Sequence, residues 1–339
     1  PKPVTSSRPT VVTPDQTASN SNVNSATQSS LNANSSQNPT QVQGAVVSTY
    51  KSLVEVQNVP QGLFNYGGST TFAPLRGANV VAAINQAHPQ FRTRYTEPTV
   101  GKPGSGKGIE MVINGQLSFA QSSRSLKDKE YARAKGRGFT LEEVPVVLDG
   151  IAIYVNPRLM NQGVKGLTVA QVRDIFTGKI QNWQQVGGPN LPIVPFSRNL
   201  QSGGTVDFFS ENVLEKQPFA ANTKEVRDTT NAIRKVATTP GGISFATTSE
   251  VINQQMIRLM PLAKGEGGQK FISPCADSTC TAINERVFTD NSYPITRRLF
   301  VIIKRDGRLD EQAGVAYANM LLSDEGQKLA GQVGFVPIR

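Results

Sequence analysis

Short runs of β-branched and aliphatic residues alternate along this chain with longer stretches of helical apolar periodicity, and that alternation restricts the fold more than any other feature. Strand-like runs stand at 145-PVVLDGIAIYV-155, 191-LPIVPF-196 and 299-LFVIIK-304. Helical spacing appears at 75-LRGANVVAAINQA-87, 167-LTVAQVRDIFTG-178, 228-DTTNAIRKVAT-238 and 313-AGVAYANMLLSDEGQKLA-330, with Gly178 in the position of a helix stop. Strands separated by helix-length segments predict an α/β fold with covered sheets. In such sheets ligands bind beyond the carboxyl ends of the strands, where loops turn into helix N-termini.

Three loop-to-helix junctions share one chemistry. They are 67-GGSTTFAP-74, 104-GSGKG-108 and 198-RNLQSGGT-205. The second follows the strand-like 90-QFRTRYTEP-98 and precedes 109-IEMVINGQ-116; the third precedes 206-VDFFSENVL-214. Each offers free N–H groups, the positive end of a helix dipole and Ser or Thr hydroxyls. One such loop is explained by N-capping alone. Three, one of them led by an arginine able to grip an oxyanion bidentately, point to a small tetrahedral anion held by many neutral donors without a metal.

The second junction overlaps 101-GKPGSGKG-108, which spells seven of the eight positions of a Walker A phosphate loop. The eighth, where a Ser or Thr would reach Mg²⁺, is Gly108. Lys107 reads as a solvent-facing residue of a first helical turn.

At 339 residues the chain can build two domains with cores of their own. Residues 1–44 are of another material, almost all Ser, Thr, Asn, Gln and Pro, with no aromatic residue and with Lys2, Arg8 and Asp15 as the only charges. They read as a disordered tether, because they cannot bury enough apolar area to offset their ordering entropy. A prion-like segment would want aromatics. No stretch reaches the ~18 apolar residues of a membrane span, and no signal peptide is visible. The chain opens inside the tether as a mature or trimmed exported protein would, so a periplasmic location is expected, with a lipid anchor or membrane tether at the N-terminal side left open.

The two cysteines, Cys275 and Cys280 in 275-CADSTC-280, have a spacing that can close a small disulfide; a zinc site needs two further ligands that the sequence hardly offers. His88, the single histidine, reads as a plain surface residue where a helix stops before Pro89. The net charge is +10, of which the tether carries +1. That balance fits an anionic ligand, an anionic surface or nucleic acid. The basic residues, as in 133-RAKGR-137, 297-RR-298 and 304-KR-305, are scattered without the aromatic interleaving of a nucleic-acid platform. No nucleic-acid partner is expected.

The sequence resembles the periplasmic phosphate-binding proteins of ABC transporters, of the PstS type and its cyanobacterial SphX-like branch. The residues that carry the likeness are 71-TF-72, 104-GSG-106, 119-FAQSSRSL-126, 172-VRDIFTGKIQNW-183, Arg198 with 202-SG-203, 238-TTPGGISFA-246 and 293-YPITRRLFVIIK-304. The block ending in Trp183 is the most diagnostic, and its role reads as structural. The resemblance implies a two-lobed α/β binding protein of type II, each lobe a mixed sheet flanked by helices, with the ligand in the cleft between them. It implies crossings near 147–149 and 292–295, so that one lobe comprises 45–147 with 293–339 and the other 148–292. It also implies a monomer, without cofactor or metal, that binds inorganic phosphate and hands it to the permease subunits of an ABC transporter.

Carried over by position, the ligand set is Ser69, Thr70, Thr71 and the N–H of Phe72 from the first junction, Ser105 from the second, and Arg198, Ser202, Gly203, Gly204 and Thr205 from the third. The last contact falls to either Gly204 or Thr205, because the loop is one residue longer than the family's. Ser123 stands where the family usually places an aspartate that accepts the proton of monohydrogen phosphate, so sorting of phosphate from sulfate is open here. Leu200 replaces the carboxylate that usually follows the arginine. Three readings follow: a phosphate receptor, the same scaffold with sulfate or another tetrahedral oxyanion, and an enzyme, either a nucleotide hydrolase or a phosphatase. The enzyme lacks the last Walker position, an acidic metal-binding strand and any second histidine.

Overall fold

The computed structural model of the chain describes residues 45–198, 204–265 and 270–339. The tether at 1–44 and the loop positions Leu200, Ser202 and Gly203 lie outside the described residues.

The described strands, in chain order, are β1 (Gly62–Gly68), β2 (Phe91–Tyr95), β3 (Phe119–Ser122), β4 (Thr140–Val155), β5 (Leu167–Thr168), β6 (Val194–Arg198), β7 (Lys224–Val226), β8 (Gly242–Thr247), β9 (Arg258–Leu259), β10 (Leu262–Ala263) and β11 (Thr296–Arg305). Among the described residues the main sheet runs β2-β1-β3-β11-β4-β8-β6-β7, with β9 on β4, and β10 pairs with β5. Pairing is parallel at both ends, β1 with β2 and β3, β6 with β7 and β8. It is antiparallel in the middle, where β11 meets β3 and β4 and where β4 meets β8. This is the mixed α/β architecture that the alternating pattern implies, and it is two-lobed.

Strand β4 runs through two cores, with β11 alongside it. Val144, Val146 and Val147 of β4 pack in one core with Phe64, Tyr66, Phe72, Phe119 and Leu299, Val301 and Ile303 of β11. Ile151, Ile153 and Val155, further along β4, pack in another with Phe176, Trp183, Phe209, Phe245, Tyr293 and Ile295. Pro145 would interrupt a regular central strand, but it sits at a register shift between Leu299 and Phe300 of β11, where a bulge needs no ladder donor.

The elements start and stop where local chemistry says they should. The helix Val169–Phe176 has Thr168 as its N-cap, reciprocated by Gln171, and Gly178 follows with φ +84°. Asp228 caps the helix Thr229–Thr238. The periodic stretch 313–330 is divided: helices Leu309–Leu322 and Asp324–Gln332 meet at Ser323, whose hydroxyl accepts from Gly326 N–H and starts the second. Trp183 is fully buried and donates from Nε1 to the Gly241 carbonyl at 3.1 Å, a packing role. Cys275 and Cys280 are joined by a disulfide with Cα atoms 4.8 Å apart. His88 is half-buried rather than a plain surface residue: its Nε2 donates to the Leu53 carbonyl at 2.7 Å and ties the segment before β1 to the end of the helix Ala78–Ala87. No helix among the described residues is long and apolar enough to cross a membrane.

Candidate functional site

The parallel pairing of β1 with β3 sets Gly68 beside Gln121, so the loops leaving the two strands, at Ser69 and Ser123, emerge side by side. Ser69 caps the 3-10 helix Thr70–Arg76, its Oγ accepting from Thr71 N–H at 3.3 Å. Arg76 braces this turn: it donates to the Ser69 carbonyl at 3.2 Å and to Gln121 Oε1 at 2.8 Å, with its guanidinium 4.0 Å over the Tyr95 ring. Ser105 opens the helix Ser105–Ile113. Its Oγ accepts from Ser123 N–H at 3.0 Å and lies 3.1 Å from Ser123 Oγ. Ser69, Thr71, Ser105 and Ser123 are all buried.

These hydroxyls face the start of the helix Gly204–Asn212. A methyl group placed on Gly204 would lie 2.4 Å from Ser123 Oγ, 3.0 Å from Ser69 Oγ and 3.5 Å from Thr71 Oγ1, so three hydroxyls converge on one glycine at a helix N-terminus. Thr205, the next residue, is also buried.

A cation that the sequence reading passed over occupies the centre of this arrangement. Arg297 lies directly across from Asp149 in the β4–β11 register. Its Nε and Nη2 meet Asp149 Oδ2 at 2.9 and 2.8 Å. Nη1 donates to the Gly204 carbonyl at 3.0 Å, and Nη2 lies 3.2 Å from both Thr71 Oγ1 and Thr205 Oγ1. The guanidinium is stacked 5.1 Å from the Phe208 ring, and the side chain is 2% exposed. Asp149 is fully buried and also accepts from the Thr247 hydroxyl. Burial pushes the Asp149 carboxyl up and the Arg297 guanidinium down, while their mutual attraction opposes both shifts. Nε makes the hydrogen bond of the pair, and the two Nη2 hydrogens are left for Thr71 and Thr205.

Arg198, at the end of β6, is turned elsewhere. Its Nη1 is 3.6 Å from Glu250 Oε1, and the side chain is 25% exposed. Glu250, which also accepts from the Thr229 hydroxyl, supplies the carboxylate that Leu200 does not. Arg198 is still near enough to Arg297 to weaken that group's hold on its proton. Of the residues picked from sequence, Ser69, Thr71, Ser105, Ser123, Gly204 and Thr205 come together. The Thr70 side chain is exposed, Phe72 is a core residue whose N–H is directed at the Ser69 carbonyl, 3.4 Å away, and Arg198 borders the group.

The false phosphate loop has a packing explanation. A Cβ at Gly108 would lie 2.4 Å from Gly68 Cα and 2.9 Å from Gly68 N, so the helix closes on β1 only with hydrogen at that position. Gly68 itself has φ +108°. Lys107 pairs with Glu110 at 3.1 Å, both about one-third exposed. Beside the hydroxyl cluster a cavity of about 510 Å³ is lined by Ser123, Arg124, Phe208, Glu211, Arg297 and Arg298, among others. Lys127 bridges to Glu211 at 2.6 Å. Among the described residues no group of three or more His, Cys, Asp or Glu is placed to hold a metal ion.

Among proteins of known name, the chain is similar to the phosphate-binding protein PstS of Staphylococcus epidermidis, with 28% identity over 271 residues, covering 79% of this chain and 77% of that one. The phosphate-binding protein PstS of Staphylococcus aureus is also 28% identical, over 272 residues, covering 79% and 76%. Among solved structures, the fold matches a putative phosphate ABC transporter substrate-binding protein with bound phosphate from Clostridium perfringens. The TM-score is 0.63 at 24% identity, over 82% of this chain and all of that one. An ABC-type phosphate transport receptor from Vibrio cholerae matches with TM-score 0.64 at 22% identity, over 80% and 99%. The model of the PBP superfamily domain matches residues 32–325, the greater part of the sequence, and the chain belongs to that superfamily.

Proposed function

We propose that this protein is a receptor that binds inorganic phosphate outside the cytoplasm and delivers it, as a monomer, to the permease subunits of an ABC importer. The observation that carries the reading is the convergence of the Ser69, Thr71 and Ser123 hydroxyls on the N-terminus of the helix at Gly204. Neutral donors and a helix dipole suit a small oxyanion, and no nucleophile paired with a base stands among them. The names of the relatives point the same way. The ligand set is Ser69, Thr71, Ser105, Ser123, Arg198, Gly204 and Thr205, with Ser202 and Gly203 completing the third junction. The lobes are 45–147 with 293–339 and 148–292, and the cleft closes by rotation about the crossings of β4 and β11 near Asp149 and Arg297. Titration calorimetry checks the reading: phosphate should bind 1:1, and binding of Mg·ATP without phosphate would overturn it.

A second reading, an oxyanion receptor that takes sulfate as well, is favoured by one observation. Ser123, 1% exposed, puts a hydroxyl rather than a carboxylate against Ser105 and Gly204. A carboxylate repels a fully deprotonated anion, whereas a hydroxyl can turn its hydrogen toward it. Ser123→Asp should then sharpen the preference for phosphate in a sulfate competition assay. Equal exclusion of sulfate by both proteins would show that another group does the sorting.

A further inference from the structure

Thr71 and Thr205 come from different lobes, yet their hydroxyl oxygens lie at the same distance from one nitrogen, Nη2 of Arg297. A guanidinium has only donors, so in these contacts both threonine oxygens can only accept. Each hydroxyl has one hydrogen, which is then left to donate in another direction. A threonine hydroxyl without such a donor must instead be turned toward the oxyanion as it binds, giving up its rotational freedom at that moment. The same guanidinium holds the Gly204 carbonyl through Nη1, which aims the first-turn N–H groups of that helix away from Arg297. Arg297 cannot swing aside. Asp149 on the neighbouring strand accepts from its Nε, with Nη2 2.8 Å from the same oxygen, and Thr247 fixes Asp149 in turn.

We propose that Arg297 is the positioning residue of the anion site, acting through Thr71 and Thr205 by turning both hydroxyls into dedicated donors. This rests on the oxyanion-binding reading above. It assigns Arg297 a different task from Arg198, which borders the site paired with Glu250.

The test is a double-mutant cycle on the full chain, with phosphate and sulfate affinities measured by calorimetry. Thr71→Val in the wild-type background should weaken phosphate binding about tenfold, the loss of one committed donor. Arg297→Lys keeps the charge beside Asp149 but loses the planar fork that reaches Thr71, Thr205 and Gly204 together. In that background Thr71→Val should cost less than about threefold, because the hydroxyl is no longer set to donate. Thr205→Val should behave the same way. Equal factors in the two backgrounds, in a protein that binds phosphate, would overturn the proposal and leave the receptor reading intact. A wild-type protein that binds neither phosphate nor sulfate would overturn the receptor reading and this proposal with it. Thermal unfolding of each variant guards against a merely structural effect. If Arg297→Lys does not fold, the neutral pair Asp149→Asn with Arg297→Gln serves as the second background, and the same equality of factors decides.

Discussion

Lys107 and Arg297 are both cations near the same hydroxyls, and they stand in opposite surroundings. Lys107 belongs to a loop whose spelling imitates a nucleotide site, yet among the described residues its ion pair is with Glu110, near the surface. Arg297 belongs to an ordinary-looking strand, 293-YPITRRLFVIIK-304, and is buried with contacts to Asp149, Thr71, Gly204 and Thr205. A motif records which residues could contact an anion if the backbone presented them. Burial and partners decide which cation is held where an anion can feel it in a low dielectric. The contrast can be broken at four points.

The largest effect should come from Asp149→Ala. It strips the partner from a guanidinium that water cannot reach, and breaking a buried pair from one side costs about 3–5 kcal/mol of stability. Denaturant unfolding measures this, and a loss below about 1 kcal/mol would mean that Arg297 finds other compensation. Next is Arg198→Ala, which should reduce phosphate affinity by about 2–5 kcal/mol if this residue supplies the charged contact that the family resemblance implies. Calorimetry reads the change. No change would leave Arg297 as the charged group that matters.

How much of this could be read beforehand follows from the range of each signal. Strands β4 and β11 were legible because they are long apolar runs. Strand β1, 62-GLFNYGG-68, was not, because its final glycines answer to distant neighbours: a Cβ at Gly67 would meet the Thr96 carbonyl oxygen at 2.6 Å, and one at Gly68 the Gln121 carbonyl oxygen at 2.4 Å. Strand β3 is four residues long, too short for periodicity to show. The hydroxyls at Ser69, Thr71 and Ser105 were legible as residues before helices and that of Ser123 through the family resemblance, but their convergence depends on sheet order, a long-range property. Arg297 had a local signal that was overlooked. Ile295, Arg297 and Leu299 are buried while Arg298 is exposed, so the arginine falls on the inward side of a period-two pattern. Asp149 interrupts the apolar run of the facing strand in the same way. An opposite charge on the buried side of each of two strands is a pairing signal.

A smaller effect is expected from Gly108→Thr, which completes the Walker spelling. The new Cβ would fall on the backbone of Gly68, which cannot give way as a flexible side chain could. Overpacking of this kind costs about 1–3 kcal/mol. The variant should lose stability in thermal unfolding and gain no affinity for Mg·ATP. Acquired nucleotide binding would mean that the loop is a phosphate cradle missing only its hydroxyl, and Lys107 would regain the role its motif suggests.

The smallest effect should be that of Lys107→Ala. Its side chain is about one-third exposed, its partner Glu110 lies one turn along the same helix, and water competes for both. Exposed pairs at this helical spacing contribute about 0.2–0.5 kcal/mol. Phosphate affinity should therefore shift by less than about 1 kcal/mol, and the small shift should shrink further as salt is raised, because surface charges are screened over about 10 Å at 0.1 M ionic strength. The measurement is phosphate titration of both proteins at low and moderate salt. A loss at Lys107 matching that at Arg198, and persisting at moderate salt, would place the lysine against the bound anion. The helix Ser105–Ile113 would then have to turn its first residues inward when ligand binds, and the contrast with Arg297 would hold only for the conformation described here.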